Sequence, residues 1–201
     1  MINIHQYIPR FTTLFPLLPS SVWELPSLAD NVIAERIKNL TGDYVQMGSA
    51  FVHRTATVEQ HVIMKGPIII GPGCFVGAHA YLRGGVFLDE SVVIGPGCEV
   101  KSSILFRRSA LAHFNFAGDS IIGEEVNMEA GSILANHFNE RQDKTIRAVV
   151  DESIVTLPVT KFGSLLGDGT KIGANAVLSP GTVLMPGSVV KRLQLVEQSN
   201  Q

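Results

Sequence analysis

The sequence predicts an all-β solenoid, a stack of parallel coils with a helical segment ahead of it. Three observations predict this. Aliphatic residues or methionine recur at every sixth position: Val52, Val58, Met64, Ile70, Val76, Leu82, Leu88, Ile94 and Val100. The same step returns at Leu166, Ile172, Leu178, Leu184 and Val190. Small residues stand four places after the apolar one, at Ala56, Cys74, Ala80, Cys98, Ala176 and Thr182, and Gly often follows it directly, as in Ile70-Gly71 and Ile172-Gly173. A period of six suits neither a helix nor a hairpin. It suits one short flat strand followed by a turn, so that three faces close a triangular coil of about eighteen residues, each coil bonded to the next as in a parallel sheet. The aliphatic residue points inward, the small one fits the corner, and Gly supplies turn conformations that a side chain would hinder.

Ahead of the coils, SLADNVIAERIKNL (Ser27 to Leu40) reads as an amphipathic helix with Leu28, Val32, Ile33, Ile37 and Leu40 on one face. Ser27 and Asp30 supply an N-cap of the capping-box kind. The helix is expected to plug the open end of the first coil, since solenoids need caps. The chain therefore divides into an N-terminal segment with the capping helix, residues 1–47, and a β-helix domain, residues 48–201, with an excursion over 137–160. In the excursion, TIRAVV and SIVTLP read as two short strands around Asp151-Glu152. A loop that leaves a solenoid is where function concentrates. The tail LQLVEQSNQ is expected to fray.

Composition narrows the function classes. A hydrophobic content of 45 % supports a sizeable core, so the 19 glycines and 10 prolines mean tight turns rather than disorder. A formal charge of −2 without a Lys/Arg run argues against nucleic acid. No apolar run reaches membrane-spanning length. No basic region precedes the apolar stretch Phe11 to Pro19, so no membrane partner and a soluble, cytoplasmic protein are expected. Cys74 and Cys98, in IIGPGC and VIGPGC, lie one coil plus one face apart and are expected buried and unbonded at different corners.

Past Val100 the register slips. Leu105 and Leu111 keep the step of six, but Ile122, Met128 and Leu134 resume it on another phase. An altered corner is expected between 101 and 121, and ALAHFNFAGDS (Ala110 to Ser120) lies there. Its His113 has the side chain whose pKa lies nearest neutrality, which suits a general base. It is expected to leave the core at the break. The competing reading is a satisfied structural histidine. Arg83 and Lys101 should stack one rung apart, where two cations repel unless an anion lies between them or they face water. They are either solvated surface cations or a phosphate clamp.

YLRGG, EVKSS, SALAHFNFAGDSIIGEEVNMEAGS and KFGSLLGDG follow one another in order. With the hexads, they resemble the hexapeptide-repeat, left-handed β-helix acyltransferases over most of residues 28 to 190. The stretch Tyr81 to Asn136 resembles the acetyltransferase domain of the bifunctional N-acetylglucosamine-1-phosphate uridylyltransferase/glucosamine-1-phosphate acetyltransferases, and still more closely the C-terminal domain of archaeal-type sugar-phosphate nucleotidyltransferases. The resemblance implies acetyl-CoA as co-substrate, the amine of an amino-sugar phosphate as acceptor, no metal, and a homotrimer with sites between neighbouring chains. By the same resemblance His113 is the general base and Asn136 positions the amine and the acetyl donor. Arg83, Lys101 and Lys161 hold the phosphate, and Asn127 binds the sugar. The chain departs from the pattern at Phe116 and His137, which stand where the family has tyrosines, and at Ala174, in place of a serine near the acyl donor. The C-terminal coils are also fewer. Residues 1–50 hold no Gly-rich loop ahead of a βαβ unit, so nucleotidyl transfer is not expected.

Two other classes compete. A non-catalytic assembly or regulatory module that kept the fold is favoured by the tyrosine departures. A γ-type carbonic anhydrase needs three histidines around zinc, two of them about five residues apart in one chain. His53, His61, His79, His113 and His137 offer no such pair.

Overall fold

The computed structural model describes residues 2–16 and 21–198. It is a parallel β-solenoid with an N-terminal helical segment, and its three faces are read directly from the pairing register. The first face stacks Val52, Ile70, Leu88, Leu105, Ile122, Leu166 and Leu184. The second stacks Val58, Val76, Ile94, Leu111, Met128, Ile172 and Val190. The third stacks Met64, Leu82, Val100, Ala117, Leu134, Leu178 and Val196. These side chains form one continuous inner core with the small corner residues Cys74, Ala80, Cys98 and Ala176. At the N-terminal edge, Tyr44–Met47 pairs antiparallel with Ala50–His53 and covers it. The far end runs longer than expected. Leu195–Val196 pairs with Val177–Leu178, so the tail continues the third face instead of fraying there; residues 199–201 lie outside the described residues.

The register slip has a definite place. The chain takes one residue fewer between Val100 and Leu105 and again between Ala117 and Ile122, while Leu111 to Ala117 keeps the step of six. Both short corners join the third face to the first, so the slip does not fall at His113. In the preceding rung Arg83 pairs with Lys101 but Val86 pairs with Ser103, and Gly84 and Gly85, at φ +71° and +77°, absorb the extra residue as a bulge. A serine ladder satisfies the shortened backbone. Ser103 Oγ donates to the Lys101 carbonyl at 2.7 Å and accepts from Ser120 N at 3.0 Å. Ser120 Oγ donates to the Gly118 carbonyl at 2.8 Å and accepts from Ser164 N at 3.0 Å. The excursion leaves from this same corner, between Leu134 and Leu166.

The first face is apolar on both sides. Ile69, Phe87, Ile104, Ile121, Leu165 and Val183 alternate with the inward residues, point away from the coil, and are nevertheless buried. Each would lose about 1.5–3 kcal/mol if left in water. Two segments cover them: Ile8, Phe11, Phe15, Trp23, Leu25 and Ile33 from the N-terminus, and Ile146, Ala148, Val150, Leu157 and Phe162 from the excursion. The expected end plug is therefore a side cover. Helix α1 (Phe11–Leu14) seats Phe11 and Phe15 on the outward aromatics, with ring centroids 5.7 Å apart for Phe11–Phe106 and 5.5 Å for Phe15–Phe87. Helix α2 (Ala29–Ile37) lies against the strands Ile68–Ile70 and Tyr81–Leu88, in the body of the stack. Ser27 does not cap it. Pro26–Leu28 is a 3-10 turn running into the helix, and the Ser27 hydroxyl donates back to the Glu24 carbonyl at 2.7 Å.

The excursion is the expected hairpin. Arg147–Val150 pairs antiparallel with Ser153–Thr156, and Asp151 and Glu152 have φ +48° and +62°, the backbone of a tight turn with both central residues left-handed. Its base closes by Leu157 N donating to the Ile146 carbonyl at 2.9 Å, and Phe162 meets Trp23 edge-on at 5.1 Å. Cys74 and Cys98 are both free and buried, and burial pushes the Cys74 thiol up to about 12 and the Cys98 thiol upward as well.

Gly85 has a positive φ and its Cα faces the Ala29–Asp30 peptide, which a Cβ would overlap. Gly85→Ala should lower stability by about 1–3 kcal/mol and detach the N-terminal cover, read as faster proteolysis within residues 2–40 in the native state. Neither thiol should react with a disulfide reagent at pH 8 in the native protein, and both should react on adding urea.

Candidate active site

The corner between the third and first faces builds a polar cluster from successive rungs. Asp119 has φ +48° and projects its carboxylate between the rung below and the rung above. It accepts from Lys101 Nζ at 2.8 and 2.6 Å and from Asn136 Nδ2 at 2.5 Å. The pair is largely removed from water, with side-chain exposures of 16 % for Lys101 and 4 % for Asp119. Asn136 Oδ1 in turn meets His137 Nδ1 at 3.1 Å. Phe116 lies beside them: a Cβ on Gly118 would stand 2.6 Å from its ring and 2.9 Å from Asn136 Nδ2, so a bare backbone is needed for both to approach. Arg83 stacks on Lys101 as the spacing requires, but it ends on Glu99, with contacts of 2.8 and 2.6 Å. The repulsion between the two stacked cations is thus relieved by a separate carboxylate for each.

The structure brings together Lys101, Phe116, Asn136 and His137. Arg83 lies one rung below Lys101 and Lys161 lines a cleft with Lys101, while His113, Ala174 and Asn127 stand apart. His113 is exposed at the opposite edge of the third face, on the corner with the second. Its neighbour Phe114 takes the positive-φ position, φ +52°, and is 73 % exposed with its ring over Gly97. Ala174 occupies the same corner two rungs up, roughly 10 Å away at the ~4.8 Å rung spacing. Its N–H donates to Glu129 Oε2 at 2.9 Å. Two hydrogen bonds from Arg192, with that N–H, hold the Glu129 carboxyl down at about 2. Asn127 is exposed on the second face, where it borders a shallow groove of about 480 Å³ with Lys171, Lys191 and Arg192.

Sequence reasoning missed Asp119, the acceptor shared by Lys101 and Asn136. Asp119 stands one residue past the Phe-Ala-Gly of the quoted stretch, at a short corner where Gly118 rather than Asp119 pairs with Lys101, so spacing alone does not mark it. Two clefts also lie within one chain, where a bare solenoid face would have none. One, of about 450 Å³, runs between Ser27 and Asp30 of the cover, Lys101 and Asp119 of the corner, and Pro158 to Lys161. The other, of about 710 Å³, lies between the legs of the excursion, from His137, Lys144 and Thr145 to Thr156 and Lys161. Among the described residues no three His, Cys, Asp or Glu side chains converge as a metal site, and no helix is long and apolar enough to cross a membrane.

Asp119→Ala leaves the Lys101 ammonium and the Asn136 amide without their shared acceptor. It should lower stability by about 3–5 kcal/mol, measured by urea unfolding, whereas Glu99→Ala at the exposed Arg83 pair should change it by under about 1 kcal/mol.

The sequence also matches known proteins. Residues 46–138 match the family described as the GMPPB C-terminal domain. The bifunctional protein GlmU of Baumannia cicadellinicola is 31 % identical over 158 residues, covering 74 % of this chain and 32 % of that protein. The bifunctional sugar-1-phosphate nucleotidylyltransferase/acetyltransferase of Sulfurisphaera tokodaii is 29 % identical over 160 residues, covering 79 % of this chain and 38 % of that protein. This chain thus spans about a third of the length of both relatives. Among solved structures, a hexapeptide transferase family protein from Anaplasma phagocytophilum superposes with a TM-score of 0.34 at 16 % identity, over 73 % of this chain and 72 % of that one. The pairing register and these sequence relatives together make the chain a hexapeptide-repeat β-solenoid homologous to the GlmU proteins and to the bifunctional sugar-1-phosphate nucleotidylyltransferase/acetyltransferases.

Proposed function

We propose that this chain is an acetyltransferase that moves the acetyl group of acetyl-CoA to the amine of an amino-sugar phosphate, and that it works as a homotrimer. The observation that carries the reading is the polar cluster of Lys101, Asp119 and Asn136 beside Phe116, fixed at one edge of an uncovered face whose other edge presents His113. The amine nitrogen attacks the thioester carbonyl carbon, and the His113 imidazole takes the proton the amine loses. A backbone N–H at the coil corner stabilises the oxyanion. The intermediate collapses by breaking the carbon–sulfur bond, and the thiolate of coenzyme A leaves and is protonated. Asn136 is held by Asp119 through Nδ2 and by His137 through Oδ1, so its side chain is fixed in place.

The two edges of the third face are too far apart for one small acceptor to bridge, and a neighbouring chain resolves this by bringing its own edge alongside. The outer rows support such packing. The first face is covered by its own chain, while Ile63, Ile133 and Leu195 on the third face, Phe114 and Leu193 at the His113 corner, and Val93 and Val189 on the second remain exposed. Apolar rows along a rigid stack favour a closed cyclic assembly. The groove beside Asn127, with Lys171 and Lys191, suits the phosphates of coenzyme A. A non-catalytic module is the second reading; it draws on Phe116, which has no hydroxyl for an acceptor, and on the carboxylates that already engage Arg83 and Lys101.

Thiol release from acetyl-CoA against a panel of amino sugars and their phosphates separates the two readings. His113→Ala should lower kcat by roughly 10²-fold or more with little change in Tm, and light scattering should give three times the chain mass. A variant that loses stability but keeps its turnover, or a monomer at micromolar concentration, would contradict the proposal.

A further inference from the structure

The N-terminal cover carries a groove of about 760 Å³ between the end of α1 and α2. Its walls are mostly apolar, built by Leu14, Phe15, Leu28, Val32 and Leu40, and Leu28 is 37 % exposed. None of these residues lines the clefts beside Lys101 and Lys161. An apolar concavity of this size, with a few polar groups converging on it, is the ordinary form of a small-molecule site.

Arg36 is the one cation among the described residues of these walls. Its guanidinium lies over the Phe15 ring, 5.1 Å from the centroid, and over the Phe87 ring at 4.9 Å, and its Nη1 donates to the Leu14 carbonyl at 2.5 Å. A guanidinium carries five N–H donors. This one has no carboxylate partner among the described residues. The acids nearby are committed: Glu35, in the same wall, pairs with Lys38 at 2.5 Å, and Asp89 accepts from Arg10 at 3.2 Å. Burial lowers the pKa of Arg36, and Asp89 and Tyr44 only partly offset this. The cation is thus taken out of water without the anion that normally accompanies such burial. Arg10, in the same layer, shows the normal arrangement, with Asp89 and Glu124 both within reach. The amides of Asn31 and Asn39 border the groove and add donors.

We propose that this groove binds a small aliphatic carboxylate, with its head on the free N–H edge of Arg36 and its tail along Leu28, Val32 and Leu40. One planar cation with no second positive group beside it suits a monoanion that it can hold with two parallel hydrogen bonds, better than a dianionic phosphate. The site is separate from the polar cluster and does not rest on the acetyltransferase reading.

Isothermal titration of the full chain with octanoate, hexanoate and octan-1-ol tests it. Octanoate should bind. Hexanoate, two methylenes shorter, should bind roughly tenfold more weakly, and octan-1-ol, which lacks the charge, should lose at least as much. Arg36→Gln should weaken octanoate by roughly tenfold or more. Asn31→Trp should abolish binding; it fills the groove from an exposed position and leaves the Arg36 contacts in place, so the test stands even if Arg36→Gln loosens α1. Both walls belong to the cover, so octanoate should also slow proteolysis within residues 2–40. No binding at millimolar octanoate, octan-1-ol binding as tightly as octanoate, or octanoate affinity unchanged in both variants overturns the proposal. Octanoate that binds only after Leu17→Ser and Leu18→Ser are introduced together makes the chain's own leucines the occupant and overturns it as well.

Discussion

Burial of the outward stripe on the first face is the constraint from which the rest of the molecule follows. A triangular coil buries its inward residues by itself. It cannot bury Ile69, Phe87, Ile104, Ile121, Leu165 and Val183, which stand on its outside. That face therefore requires a second layer, and the chain supplies it from two places: α1 and α2 from before the coils, the hairpin from within them. The inner core is a one-dimensional repeat, each rung stabilised by the rungs beside it. The outer core joins residues far apart in sequence and makes the two parts of the chain one unit. Arg10 adds an electrostatic tie to this layer, with its Nε 3.2 Å from Asp89 and 3.8 Å from Glu124.

The same arrangement concentrates polar chemistry at a single corner. Covering the first face brings α2 and Pro158 to Lys161 up to the turns that lead into it. Those turns are the ones that drop a residue, carry the left-handed Ser102 and Asp119, and open for the excursion. A side chain in such a turn leaves the strand direction, so Asp119 can reach both the rung below and the rung above. On a regular face, successive side chains would point alternately in and out and no such hub would form.

Much of the fold was legible because a period of six has few physical solutions, and Val52 to Val100 display it without interruption. The hairpin at Asp151-Glu152 was equally clear from its apolar strands and polar turn. The placement of the helix was not. An amphipathic pattern over Leu28 to Leu40 says that a face is buried, but not whether its partner is the end of the stack or its side. The deciding signal was the apolar residue just before each inward one on the first face, as in Ile69-Ile70, Phe87-Leu88 and Ile104-Leu105. The slip past Val100 was visible in the sequence, but a change of phase gives an interval and not a position. The eye goes to His113 within that interval, whereas Ser103 and Ser120 mark the short corners. For the site, eighteen-residue spacing correctly stacked Arg83 on Lys101, but spacing along one face could not reveal Glu99 and Asp119, whose contacts depend on side-chain direction.

The hydrogen-bonded ladder passes over the excursion as though it were not there. Asn127 pairs with Lys171 and Ile133 with Val177, each across a stretch of chain that includes the whole hairpin. The two uninterrupted faces thus carry no record of what is inserted at the third corner. Any segment that starts at Asn136, returns at Gly163 and offers an apolar side to the first face can be exchanged there without retuning the stack. The excursion is thus a replaceable cassette on a frame that carries Asn136 and His113 independently of it.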